Sequence, residues 1–235
     1  MAAPGRLALV GGNEFRRDCD PLDRALLAAV GGKHPAVVIL PTAATNENPY
    51  VAGENGRRHF GRLGARADKI MIVDAETANQ RDLATPVEKY DLLYLTSGDP
   101  LYLLESLRGT RTESALRAVY DRGGLLAGSS AGAMVLGAQV WRFDGWTPGL
   151  GFAPHLAVLP HHATLAARWN APAMAAALPS GVTLIGIDEA TALLLPEAQV
   201  LGTGAVTVYG PNGAETFTEG AVIPALQPPA LPPPA

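Results

Sequence analysis

The run Gly128-Ser129-Ser130-Ala131-Gly132 places two hydroxyls among residues too small to crowd them. Apolar Leu125-Leu126-Ala127 precedes it and Met134-Val135-Leu136 follows, which reads as strand, tight turn, helix. That layout lifts a serine out of a sharp turn as a nucleophile, and the G-x-S-x-G spacing puts Ser130 at its centre. Ser129 takes the variable position. A serine of this kind needs a base, and the base needs a carboxylate to orient it. The same string also arises in an ordinary Gly/Ser turn, so the partners decide its meaning.

The five histidines are His34, His59, His155, His161 and His162. His34 precedes a strand and His59 sits in a basic helical stretch, where a solvated face is its plain reading. His161-His162 ends the apolar run Leu156–Leu159, and Asp188-Glu189 ends the run Thr183–Ile187. Both pairs fall at the carboxyl end of a strand, as Ser130 does. Alternation along a strand would turn only one of the two histidines toward Ser130. The order Ser130, His162, Glu189 gives each group its own strand end. An α/β-hydrolase esterase would need its acid before the histidine, which leaves Asp144.

Those strand ends belong to a longer pattern. Apolar runs at Leu7–Val10, Ala36–Leu40, Lys69–Val73, Asp91–Thr96 and Leu125–Ala127 alternate with amphipathic stretches. The stretches run from Asp20, across Gly53–Leu63, Leu101–Leu107 and Thr112–Tyr120, and across Thr164–Leu178. Such alternation predicts an α/β fold with a mostly parallel central sheet covered by helices on both faces. Ligands of such sheets bind beyond the carboxyl ends of the strands, where the loops at Gly11-Gly12-Asn13, Thr42-Ala43-Ala44, Ser97-Gly98-Asp99 and Ser129-Ser130 gather. The segment Val140–Pro154, with Trp141, Phe143 and Trp146, reads as a loop that packs on the surface or covers the substrate. Leu193–Leu195 and Gln199–Tyr209 read as antiparallel hairpins closing the sheet. Residues 1–222 form one domain, and the Pro-rich stretch 223–235 reads as a disordered tail.

The 235 residues are 48% hydrophobic, enough for a substantial core, and the net charge of −4 offers no footprint for nucleic acid. A single cysteine, Cys19, excludes an internal disulfide framework and a cysteine-built zinc site. With no signal-peptide pattern and no apolar run long enough to span a bilayer, a cytoplasmic protein without a membrane partner is expected.

In the quoted order these motifs resemble peptidase family S51, the serine peptidases that include dipeptidase E and cyanophycinase. Gly128-Ser129-Ser130-Ala131-Gly132-Ala133 is similar to the family's G-[TW]-S-A-G-A. Thr96-Ser97-Gly98-Asp99 is similar to its G-G-[DN] loop, with Ser97 where the family usually has glycine. Gly149-Leu150-Gly151, His162 and Gly186-Ile187-Asp188-Glu189-Ala190-Thr191-Ala192-Leu193 look like its cyanophycinase branch. The resemblance covers Leu7 to about Tyr209. It implies a class I glutamine amidotransferase-like fold and an acyl-enzyme on Ser130, with no metal or cofactor. His162 would be the base and Glu189 its orienter, with Asp188 the alternative orienter and His161 the alternative base. The N–H groups of Gly98 and Ala131 would form the oxyanion hole. Asp99, Ser129 and Arg168 would contact a small peptide substrate, and a homodimer is in keeping with the family. Departures at Ser97, Pro100 and Pro160-His161-His162-Ala163 leave an amidotransferase-like binding protein without peptidase activity as the alternative.

Overall fold

The computed structural model describes residues 5–211 and 213–227. The first half alternates strand and helix: β1 (Arg6–Val10), α1 (Asp20–Val30), β2 (Ala36–Leu40), α2 (Pro49–Arg62) and β3 (Arg66–Lys69). Then come α3 (Ala75–Asn79), α4 (Arg81–Val87), β4 (Leu92–Leu95), α5 (Pro100–Leu107) and α6 (Arg111–Asp121). Next are β5 (Leu125–Ser129) and α7 (Ala131–Leu136), which meet at Ser130. The helices start where side chains satisfy their free N–H groups. Asn48 caps α2 through Val51 N–H, Asp99 caps α5, and Thr110 caps α6 through Glu113 N–H.

The second half is richer in strand. It contains β6 (Gly137–Arg142), β7 (Gly145–Pro148), β8 (Ala153–Pro160), α8 (His162–Trp169), α9 (Ala171–Ala176) and β9 (Thr183–Ile187). It closes with β10 (Thr191–Leu195), β11 (Gln199–Gly202), β12 (Ala205–Gly210) and β13 (Gly213–Thr218). The strands form two sheets, not the single one expected. One has the order β11-β10-β1-β5-β4-β2-β3, the other β13-β12-β9-β8-β6-β7. The first is parallel from β1 to β3, with β10 and β11 added antiparallel at one edge. In the second, β6, β8 and β9 are parallel and the outer pairs antiparallel.

Alternation along β1 shows how the first sheet is covered. Leu7 and Leu9 enter one core with Leu93, Leu95, Leu103, Leu126 and residues of the second sheet. Ala8 and Val10 enter another with Leu22 and Leu26 of α1 and Phe60 of α2. Full burial of each Leu or Phe is worth about 1.5–3 kcal/mol. A third cluster, including Leu159, Met174 and Leu184, packs α9 on the second sheet with Trp141, Trp146 and Trp169 at its margin.

Three expectations change in the second half. The segment expected to be a loop around Trp141–Trp146 is the hairpin β6–β7, with Trp141 paired to Trp146 across the strands. The helix expected over Thr164–Leu178 is broken at Asn170, whose φ of 45° ends α8 and starts α9. Ile223 is buried and its N–H donates to Ala198 O at 2.9 Å, so the packed body extends past the expected boundary at 222. The Pro-rich stretch beyond Gln227 lies outside the described residues.

The two sheets meet where the loop after β1 touches the loop after β9. Gly11 N–H donates to Thr191 O at 2.9 Å within the first sheet, Ala190 N–H of the β9–β10 loop donates to Gly12 O at 3.1 Å, and a Cβ on Gly11 would lie 2.4 Å from Ile187 O of β9. Gly12 has φ +140°, and a Cβ there would lie 2.2 Å from the His161 ring. Gly12→Ala is expected to cost on the order of 1–3 kcal/mol of stability and to displace His161. Thermal unfolding, with NMR of the imidazole resonances, would check both effects.

Candidate active site

In the first sheet β5 lies between β1 and β4, so the loops after β1 and β4 flank Ser130. The register sets Val10 beside Ser129 and Leu95 beside Gly128. Ser130 has φ 48° and ψ −107°, sparsely populated for any residue with a Cβ. Such strain costs on the order of 1–3 kcal/mol and persists where the surroundings over-determine it. Here Ser130 N–H donates to Val10 O at 2.9 Å, and Ser130 O accepts from Met134 N–H at 2.9 Å. Every residue of α7 is buried. The backbone N–H groups of Gly98 and Ala131 make no hydrogen bond among the described residues, which leaves both donors available.

The imidazole that reaches Ser130 comes from the second sheet. Pro160 pairs with Ile187 at the ends of parallel β8 and β9, so the two His-acid pairs follow side by side. His161 Nε2 lies 2.8 Å from Ser130 Oγ. His161 Nδ1 lies 3.5 Å from Glu189 Oε1, which also accepts from the Thr164 hydroxyl at 2.8 Å. A carboxylate on that side favours the proton on Nδ1 and leaves Nε2 to accept from the serine. Burial raises the Glu189 carboxyl, but hydrogen bonds from Thr164 and its own backbone, with His161 beside it, outweigh burial and leave it below the usual range.

The expectation that His162 would face Ser130 is corrected. His162 Nε2 is 2.6 Å from the Tyr209 hydroxyl, and its Nδ1 is 3.4 Å from Asp188 Oδ1. Asp188 Oδ2 in turn accepts from Ala205 N–H at 2.9 Å. Gly186 makes room for this ring, since a Cβ there would meet it at 2.1 Å. The alternation argument fails because His161 is outside β8. Its φ of 127° swings the chain round, so the two rings diverge by a backbone turn and not by strand pleat.

The remaining expected residues separate. Ser129 is buried and its Oγ donates to Glu14 Oε2 at 2.9 Å. The Asp99 carboxylate is occupied as the cap of α5, accepting from Leu101 and Tyr102 N–H at 2.9 and 3.0 Å. Arg168 is exposed on α8, in a groove with Trp141, Phe143, Leu165 and Trp169. Neither Asp99 nor Arg168 has a hydrogen bond or ion pair with the Ser130–His161–Glu189 group. Asp144 is 83% exposed in its side chain and faces Arg142 at 3.8 Å, which removes the acid that an α/β-hydrolase esterase would require. His59, expected on a solvated face, is buried with its Nε2 2.7 Å from Asp23 Oδ2. Burial pushes the Asp23 carboxyl up against the opposing effect of His59.

Glu14 escaped sequence reasoning. Its carboxylate accepts from Ser97 N–H at 2.8 Å, Ser97 Oγ at 2.5 Å and Ser129 Oγ at 2.9 Å. These partners lie 83 and 115 residues away along the chain. Only its place in a polar loop directly after β1, at the sheet's functional edge, could have pointed to it. Among the described residues no group of three or more His, Cys, Asp or Glu could hold a metal ion, and no helix is long and apolar enough to cross a membrane.

Largely parallel strands in two sheets, with Ser130 on a strained turn at the carboxyl edge of the first, define a mixed α/β fold. A solved peptidase from an acI-B1 actinobacterium matches with a TM-score of 0.84 at 30% identity, covering 94% of this chain and 96% of that one. A Listeria monocytogenes structure described as a putative peptidase E shares the fold, with a TM-score of 0.59 at 17% identity over 92% of this chain and 99% of that one. A family model for peptidase family S51 matches residues 7–202, and the chain belongs to that family. A curated relative from Listeria monocytogenes, named as an uncharacterized peptidase, is 27% identical over 124 residues, 53% of this chain and 58% of the relative. The match thus spans little more than half the length of that relative.

The lowered Glu189 carboxyl has a consequence for stability against pH. A group whose folded pKa is depressed stabilises the fold above its unfolded value and loses that contribution as pH falls through the folded one. The stability difference between the wild type and Glu189→Gln is expected to be constant well above the ordinary value of 4.5 and to shrink below it. Denaturant midpoints between about pH 7 and pH 3 would show this.

Proposed function

We propose that the protein is a serine peptidase that cleaves short peptides or isopeptide-like amides through an acyl-enzyme on Ser130. The observation that carries this reading is the 2.8 Å contact between Ser130 Oγ and His161 Nε2, made from a strained elbow. Membership of a peptidase family supplies the reaction class.

The reaction follows from the geometry. Ser130 Oγ attacks the amide carbonyl as its proton passes to His161 Nε2. Glu189, 3.5 Å from Nδ1, stabilises the imidazolium that forms. The carbonyl oxygen, now an oxyanion, takes the free N–H groups of Gly98 and Ala131. Loss of one such donor typically costs about 2.7–4 kcal/mol of transition-state stabilisation. His161 returns the proton to the leaving amine, the C–N bond breaks, and water repeats the sequence on the ester. Within this scheme His161 is the base, in place of His162.

Intact-mass labelling with a fluorophosphonate tests the assignment. The wild type is expected to gain one adduct, Ser130→Ala and His161→Ala none, and His162→Ala to keep its adduct. Labelling that survives in His161→Ala but disappears in His162→Ala would reverse the two histidines. Cys19 is no competing target: burial, then the nearby Asp23 and Asp18, push its thiol up to about 12.

A further inference from the structure

We propose that Glu14 is a positioning residue that fixes the spacing between the Gly98 loop and the Ser130 elbow. The proposal rests on the acyl-transfer reading of Ser130. Its subject is how the two halves of the oxyanion hole, which come from different strands, are held in register.

Gly98 follows β4 and Ala131 follows β5, so their N–H groups have no common element. On its far side the Gly98 loop is tied to the chain after β2, through Asp99 N–H to Ala43 O at 2.9 Å. On its near side the tie to the elbow is Glu14. One carboxylate takes the N–H and hydroxyl of Ser97 at 2.8 and 2.5 Å, and the hydroxyl of Ser129 at 2.9 Å. Ser97 precedes Gly98, and Ser129 precedes Ser130. The β4–β5 ladder ends at Leu95 and Gly128, and beyond it the Ser97 and Ser129 hydroxyls are 3.4 Å apart, a long contact that the carboxylate reinforces.

Glu14 is itself held forward. Its neighbours Asn13 and Phe15 have φ of 63° and 66°, a conformation that costs a residue with a Cβ and persists only under constraint. Asn13 O accepts from Cys19 Sγ at 3.2 Å. The Phe15 ring packs against Phe60 and Tyr94, with centroids 6.1 and 5.0 Å away. Anchored on both sides, the loop presents the carboxylate at a set height above β1. A displacement of about 1 Å in catalytic geometry can cost on the order of a hundredfold in rate.

The test is the rate of fluorophosphonate labelling, resolved into a saturation constant and a maximal rate. Wild type, Glu14→Ala, Glu14→Gln and Ser97→Ala would be compared, with thermal unfolding beside each. Glu14→Ala is expected to lower the maximal rate about tenfold to a hundredfold with the saturation constant unchanged. Glu14→Gln keeps an acceptor oxygen for Ser97 N–H and is expected to recover most of the rate. An unchanged rate in folded Glu14→Ala would overturn the proposal. So would Glu14→Gln as slow as Glu14→Ala, which would point to the charge and not the hydrogen bonds. If Glu14→Ala does not fold, Ser97→Ala removes one hydroxyl from the same tie, and an unchanged rate there overturns the proposal equally. An unlabelled wild type would overturn the Ser130 reading together with this one. A labelled wild type with unaffected variants counts against Glu14 alone.

Discussion

Ser130 and His161 come from different sheets, and they meet where Gly11 and Gly12 let the two sheets approach closely. Ala190 N–H, from the β9–β10 loop, donates to Gly12 O at that seam, and a Cβ on Gly11 would lie 2.4 Å from Ile187 O of β9. A side chain on Gly12 would occupy the space of the His161 ring. The first sheet contributes the elbow, the free N–H groups and Glu14. The second contributes His161, through the end of β8, and Glu189, through the end of β9. Neither sheet carries a complete site.

Much of this was legible in the sequence, and the physics explains which parts. Ser130 was found because a buried strand turning directly into a helix demands small residues, and that demand shows in five adjacent letters. The pair Asp188-Glu189 was legible at a strand's carboxyl end because β9 is a continuous apolar run ending at Ile187. The choice between His161 and His162 was not legible from alternation, a rule that holds only inside a strand. The positive φ of His161 ends β8 before either histidine is reached. The hairpin at Trp141–Trp146 carried a readable turn signal, Asp144-Gly145, flanked by aromatic and β-branched residues. The break at Asn170 carried another in Pro172, which has no N–H to donate and is tolerated only in the first turn of a helix, here α9. The division into two sheets carried none, and Glu14 carried only its place in a polar loop directly after β1. Both depend on contacts between residues far apart in the chain, which no local period encodes.

The two histidine–carboxylate pairs show how adjacent residues come to separate tasks. His161 and His162 directly follow β8, and Asp188 and Glu189 directly follow β9, so the His161–Glu189 and His162–Asp188 pairs cross as the chains leave the strands. Each imidazole is flanked by its own carboxylate at 3.4–3.5 Å, and each Nε2 then finds a different hydroxyl. For His161 that hydroxyl is Ser130, on an elbow in the first sheet. For His162 it is Tyr209, on β12 of its own sheet, whose hydroxyl burial pushes above its usual range. A ring held between Asp188 and Tyr209 has both nitrogens occupied and none left for Ser130. The second pair therefore ties the start of α8 down to β12, while the first reaches across the seam. The same local sequence, doubled, supplies both a fixed point and the group that must face the serine.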